Sequence, residues 1–319
     1  MKTHATPSLL KRWLRSIQVA FLSSLSEHSS GIGEAVIVHG GTALSLAWEG
    51  LRHSEDVDML FDERLIAELP DIVADMAPRI NARVKAEIPD FHVDMRMKLS
   101  GRKLQCFHLV GSATNVLGAA KVKLEFWPVS PGYLNTYRSD SSCFCSRFSR
   151  PLKVATLESI YYDKLLALTL REFVKHRDVF DAWWISTSCS LPKMDAPCFG
   201  RFVTQSQAYD VSTLFSKNGG GLLVSDDLDI DELARQTRED MQKWLHPESF
   251  SRYDIEDFKE MVRHVRNACK TIHDAIDPPV LEALRASATS QKKGPESDES
   301  PARFELGEEG RLLVHANRL

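Results

Sequence analysis

The 319-residue chain contains no run of about eighteen apolar residues, so no membrane-spanning helix is expected. It has no excess of basic charge. Its 40 Lys and Arg face 44 Asp and Glu, a formal net charge of -4, which argues against a uniformly basic nucleic-acid binder but leaves room for a local basic cleft. Cysteines are few, six in all, and no pair has a second pair at zinc-site spacing. Cys143-Phe144-Cys145 is a lone C-x-C, and the set reads as free thiols of a reducing cytoplasm. No internal repeat is present. A secretory leader is not expected either: the stretch from Leu9 to Leu25 is interrupted by Lys11, Arg12 and Arg15 and reads as an amphipathic helix. What is present is the composition of an ordinary globular protein, 43% hydrophobic and 26% charged. The length suffices for a sizeable core shared between two packed units.

Apolar spacing sets out the elements. Leu9, Leu10, Trp13, Leu14, Ile17, Phe21 and Leu25 recur at helical intervals. Residues 35–38 are a short β-branched strand that runs into His39-Gly40-Gly41-Thr42, and a helix is predicted over 43–48 with Gly50 at its C-terminal cap. Residues 56–61 alternate as a strand. Ile72, Val73, Met76 and Ile80 mark a helix whose extent Pro70 and Pro78 should limit. Further strands are predicted over 91–97, 104–110 and 121–127, and the sheet region should end near Pro128.

After Arg150 the pattern turns helical. Helices are predicted over 157–172, with Thr156 as a candidate cap, and over 178–185. Gly219-Gly220-Gly221 marks a break. Helices follow over 231–245 and 255–276, the latter capped by Ser251 or Asp254 and stopped by Pro278-Pro279, and a short one over 280–285. The expected fold class is α+β: a mixed sheet with flanking helices over 1–150, a helical domain over 151–285, and a disordered tail over 286–319.

Two features carry chemistry. The glycines of His39-Gly40-Gly41-Thr42 allow close approach of the backbone to an anion. The helix start behind them offers free N–H groups to phosphate, and Thr42 adds a hydroxyl. Asp56 and Asp58 lie two apart on a strand, so both carboxylates face one side, with Cα atoms about 7 Å apart, while Val57, Met59 and Phe61 face the other. Two such acids repel unless a cation joins them, and Mg²⁺ or Mn²⁺ suits carboxylate oxygen. Metals that bridge phosphates call for a third carboxylate. Glu125 and Asp94 are the candidates; the apolar alternation around Glu125 favours it.

The stretch Val38-His39-Gly40-Gly41-Thr42-Ala43-Leu44, followed by Leu51-Arg52-His53-Ser54-Glu55-Asp56-Val57-Asp58-Met59-Leu60-Phe61, resembles the AbiEii family of nucleotidyltransferases, of the DNA polymerase β-like superfamily. Each position of the family's G-G-T-A-L turn and R-x-S-x-D-x-D strand is matched. Further on, Tyr162-Asp163-Lys164-Leu165-Leu166-Ala167-Leu168 with Arg171 resembles the family's lysine-bearing helix, and Arg177-Asp178-Val179-Phe180-Asp181 its R-D-x-x-D helix. The resemblance spans roughly residues 30–185 and departs from the family in one place, where the third carboxylate is Glu rather than Asp.

It implies a polymerase β-like fold and an enzyme that moves a nucleotidyl group from a nucleoside triphosphate to an acceptor hydroxyl, releasing pyrophosphate. Asp56, Asp58 and Glu125 would hold one or two Mg²⁺ ions; Gly40, Gly41 and Thr42 would seat the phosphates; Lys164 would neutralise the triphosphate. Arg52 and Ser54 would orient phosphate or the aspartates. Asp178 and Asp181 would fix Lys164 or Arg171, or touch the nucleotide. His39 and His53 read as structural. The resemblance also implies the toxin of a type IV toxin–antitoxin, or abortive-infection, system, with RNA (the acceptor end of tRNA) as acceptor and a cognate antitoxin as partner. Two other readings stand beside it: an enzyme that nucleotidylates protein hydroxyls, and a non-catalytic nucleotide- or partner-binding module.

Overall fold

A computed structural model describes residues 3–101, 104–136, 139–142, 150–171, 173–189 and 222–275, and the backbone of 303–306 and 312–315. The chain divides into two compact units, Met1–Thr156 and Leu157–Leu319.

The first unit opens with a short strand, β1 (Thr3–His4), and the helix α1 (Pro7–Ser26), where the Thr6 hydroxyl accepts from the Leu9 amide and Pro7 begins the first turn. Then come β2 (Val36–His39), α2 (Gly40–Ala47), β3 (Asp56–Asp62) and α3 (Leu69–Glu87). β4 (Phe91–Ser100), β5 (Gln105–Ala113), the two-residue β6 (Val116–Leu117) and β7 (Ala120–Val129) follow. The unit closes with α4 (Pro131–Thr136), β8 (Ser139–Ser142) and β9 (Leu152–Ala155).

Seven strands form one sheet in the order β4-β5-β7-β3-β2-β9-β8, while β1 pairs with β6 apart from it. β3 runs parallel to β7 and antiparallel to β2, so the sheet is mixed as expected. Alternation gives it two unlike faces. Val57, Met59 and Phe61 of β3 and Val122, Leu124 and Phe126 of β7 are fully buried on the face where α1 and α3 pack. There Phe126 meets Phe21, Phe61 and Phe107 edge-on at 5.7–6.3 Å. Asp56, Asp58, Lys123 and Glu125 occupy the other face.

Four expectations change. α3 runs through Pro78 instead of ending near it. The lost backbone bond costs about 3 kcal/mol, but Met76 and Ile80 are fully buried on either side of the proline and Val84 nearly so. Asn81 fastens the same turn to β4, donating to the Val93 carbonyl and accepting from its amide, both at 2.8 Å. α2 ends at Ala47, and Glu49 rather than Gly50 takes the left-handed conformation, φ 55°. Gly50 is needed for space: a Cβ there would lie 3.0 Å from the Leu44 carbonyl oxygen. The sheet continues beyond Pro128 through β8 and β9. β9 is a short run without alternation, and β8 is Ser-Asp-Ser-Ser, held by backbone pairing that side-chain patterns do not register. Finally, β10 (Arg303–Leu306) pairs antiparallel with β11 (Leu312–His315) inside the segment expected to be a disordered tail, through backbone bonds that composition does not register.

The second unit is helical: α5 (Leu157–Leu170), α6 (His176–Ser188), α7 (Ile230–Trp244), α8 (Pro247–Phe250) and α9 (Ile255–Ala275). Asp229 caps α7 through the Asp231 and Glu232 amides, and Asp254, one of the two proposed caps, holds the Glu256 and Asp257 amides of α9. Leu165, Leu168, Phe180, Ala234, Met241, Phe258 and Val262 fill the core. Cys143, Cys145, Gly219-Gly220-Gly221 and the helix predicted over 280–285 lie outside the described residues.

Candidate active site

α2 begins at Gly40, three residues earlier than expected, so both glycines form its first turn. Gly40 has φ 69°, and a Cβ on it would stand 2.6 Å from Asp58 Oδ2. A Cβ on Gly41 would stand 2.6 Å from Arg52 Nη2 and 3.0 Å from Ser54 Oγ. The missing side chains let the positive end of the helix close onto the acidic strand.

Thr42 is fully buried and its hydroxyl donates to the Asp56 carbonyl. Ser54 Oγ donates to the same oxygen at 3.3 Å, and Gln18 Nε2 holds the Ser54 carbonyl at 2.9 Å. Thr42 and Ser54 therefore brace the backbone of Asp56. The Arg52 guanidinium is buried and donates to the His53 carbonyl at 2.9 Å.

Strand register places the remaining groups. Asp58 lies between His39 of β2 and Glu125 of β7, and Asp56 lies beside Lys123. Of the two candidates for a third carboxylate, Glu125 is thus the neighbour of the acid pair. Asp94 is on β4, separated from β3 by β5 and β7, and meets His92 at 3.1 Å. Lys123 Nζ lies 2.8 Å from Glu125 Oε1 and 3.9 Å from Asp56 Oδ2. Burial lowers the Lys123 pKa, but Glu125, Asp56 and Asp58 outweigh it and raise it overall. Burial and the Glu125 charge push the Cys106 thiol up.

Among the described residues, no three His, Cys, Asp or Glu side chains converge to hold a metal unaided. Lys123 joins Glu125, the acid beside Asp58 on the neighbouring strand, and stands next to Asp56. The donor set still suits Mg²⁺, which binds through one or two carboxylates and takes its other ligands from phosphates and water.

A second cluster lies within the helical unit. Lys164 of α5 pairs with Asp178 and, at 3.0 Å, with Asp181, both on α6; Arg171 Nη1 lies 2.8 Å from Asp178. Burial would raise the Asp178 pKa, but Lys164, Arg171 and Lys175 hold it well below the ordinary carboxylate range. Of the roles open to Asp178 and Asp181, fixing Lys164 and Arg171 is the one seen. Arg177 stacks over Trp244, 4.5 Å from the ring centroid.

The model of the family described as "Nucleotidyl transferase AbiEii toxin, Type IV TA system" matches residues 24–285. The chain belongs to the AbiEii family. This AbiEii protein is a nucleotidyltransferase toxin of the type IV toxin–antitoxin class. Among solved structures it is similar to MenT4, a nucleotidyltransferase toxin from Mycobacterium tuberculosis H37Rv, at 17% identity and TM-score 0.56 over 89% of this chain and 90% of that one. It is also similar to JHP933 from Helicobacter pylori, at 16% identity and TM-score 0.45 over 89% of this chain and 98% of that one. A putative nucleotidyltransferase from the same organism gives 15% identity and TM-score 0.43 over 82% of this chain and 96% of that one. The MenT4 likeness supports the fold. No curated protein matches the chain. Among the described residues no helix is long and apolar enough to cross a membrane.

Sequence reasoning about the AbiEii site overlooked Lys123 and Gln18. Lys123 was legible, because it sits two residues before Glu125 on an alternating strand and so shares its face. Gln18 was not, because its bond to Ser54 spans 36 residues.

Proposed function

We propose that this AbiEii toxin moves a nucleotidyl group from a nucleoside triphosphate to an acceptor hydroxyl, with Mg²⁺ or Mn²⁺ held at Asp56 and Asp58, and that the acceptor is the acceptor end of tRNA. The single observation that carries the reading is the close approach of Gly40, in the first turn of α2, to the Asp58 carboxylate, which even a Cβ on Gly40 would overlap, so that amide donors and carboxylates come to one place. The amides of the first turn, with Arg52 beside Gly41, would receive phosphate oxygens. When bound, the metal would neutralise charge on the transferring phosphate. The acceptor oxygen attacks the α-phosphorus, the bond to pyrophosphate breaks, and the acceptor proton passes to a carboxylate. Asp58 or Glu125 would take that proton, and Lys123 lies against the Glu125 carboxylate.

Lys164 is assigned to the triphosphate on its match to the family's lysine helix; its support is the rigid seat that Asp178 and Asp181 provide. A cognate antitoxin would be the protein partner.

The test is to incubate the full chain with Mg²⁺ and each of the four α-labelled triphosphates, together with total tRNA or total protein. Label is expected on the 3′ end of RNA, lost in Asp58→Asn at unchanged melting temperature. Label on protein instead would select the rival enzyme reading, and unaltered labelling by Asp58→Asn would refute the site.

A further inference from the structure

The face of the sheet that carries Asp56 and Asp58 does not end at Lys123. β5 pairs with β7 so that His108 stands beside Lys123, and β4 pairs with β5 so that Arg96 stands beside His108. Arg96, His108, Lys123 and Asp56 thus form one row across four adjacent strands, on one face because directly paired residues share a side. Three strand spacings separate Arg96 from Asp56, about 14 Å. Lys121 shares this face, two residues from Lys123 on β7.

Lys98 sits at the irregularity between Met97 and Leu99, where the β4–β5 register shifts. Burial and the positive charges of Lys121, Lys98 and Lys123 lower the His108 pKa despite an opposing contribution from Asp56. All three ammonium groups are therefore within electrostatic reach of one imidazole. Arg96, Lys98 and Lys121 are exposed, and none has a carboxylate partner among the described residues. The only acid of β4 on this face, Asp94, faces His92.

Such a row is not required by the fold. Charges on an edge strand deter pairing with other chains, which could account for Arg96 and Lys98 on β4. It does not account for Lys121, because β7 lies inside the sheet between β5 and β3. Exposed like charges within one Debye length repel each other, and in a chain of net charge -4 a basic cluster with no carboxylate partner among the described residues suits a polyanion. We propose that Arg96, Lys98 and Lys121 form a track for the phosphodiester backbone of the RNA acceptor, leading its terminal hydroxyl along the row to Asp56. Each phosphate neutralised releases counter-ions, so the track contributes affinity without reading sequence.

The inference rests on the proposed RNA acceptor, and the test separates the two. The probe is a fluorescein-labelled total tRNA fraction, titrated by anisotropy at several salt concentrations against wild type and the triple variant Arg96→Ala/Lys98→Ala/Lys121→Ala. The residues are exposed and lie outside the catalytic machinery, so melting temperature and nucleotide binding should be unchanged. The variant should bind RNA at least tenfold more weakly, with a log K against log salt slope shallower by about two units, since each single-strand phosphate contact contributes roughly 0.7. A milder charge-conserving control, Lys98→Arg/Lys121→Arg, should keep wild-type affinity. Equal affinity and slope for wild type and the alanine variant, with wild type still labelling RNA, would overturn the track and leave the RNA-acceptor reading standing. Labelling of protein with no RNA binding by wild type would overturn both.

Discussion

Gly40 is the position where backbone conformation and site chemistry cannot be separated. Its φ of 69° disfavours any side chain by about 1–2 kcal/mol, and a Cβ would collide with Asp58 Oδ2. Gly40→Ala is therefore expected to displace the carboxylate while costing only modest stability. Labelling should fall at least tenfold for a melting temperature lowered by a few degrees, as read by activity assay and thermal scan on the same preparation. Loss of fold with no specific loss of activity would contradict this. Lys123 and Glu125 show the reverse situation. Their side chains share a face by strand alternation, but which of the neighbouring acids the ammonium joins depends on the lateral register of β3 and β7.

Among the elements, the α5–α6 pair is held by charge as well as by packing. Lys164, with a side chain 12% exposed, faces Asp178 and Asp181, which are 8% and 2% exposed. Removing one partner of a buried ion pair leaves the others uncompensated, at about 3–5 kcal/mol. Lys164→Met should destabilise the protein by that order in urea unfolding, whereas Lys164→Arg should recover most of the loss. If Lys164→Met were as stable as wild type, the cluster would be a surface network and the positioning argument would fail. α3 makes the complementary point, since its proline is tolerated only because packing and Asn81 hold both sides of it.

For the whole molecule the expected response to acid follows from Asp178. Its folded-state pKa lies below the ordinary value of about 3.9, so its stabilising contribution is complete above that value and fades as pH falls through and beneath it. Urea midpoints should be flat with respect to this group from pH 7 to 5 and drop below about pH 4. Asp178→Asn should be less stable at neutral pH and lose part of that drop. An identical acid slope in the variant would show that other carboxylates govern it.

The sequence alone determined the mixed α+β class, the unlike faces of β3 and the acid pair, because alternation and helical spacing are local properties that survive without coordinates. It also showed the glycine turn and the lysine and R-D-x-x-D helices in order. Tertiary structure alone decided that α2 starts at Gly40, that Thr42 and Ser54 brace Asp56, that Lys123 stands beside Asp56 and joins Glu125, and that β8 and β9 extend the sheet past Pro128. Those outcomes depend on which backbones lie side by side and how closely they approach, and a linear pattern carries neither the order of strands nor the space between them.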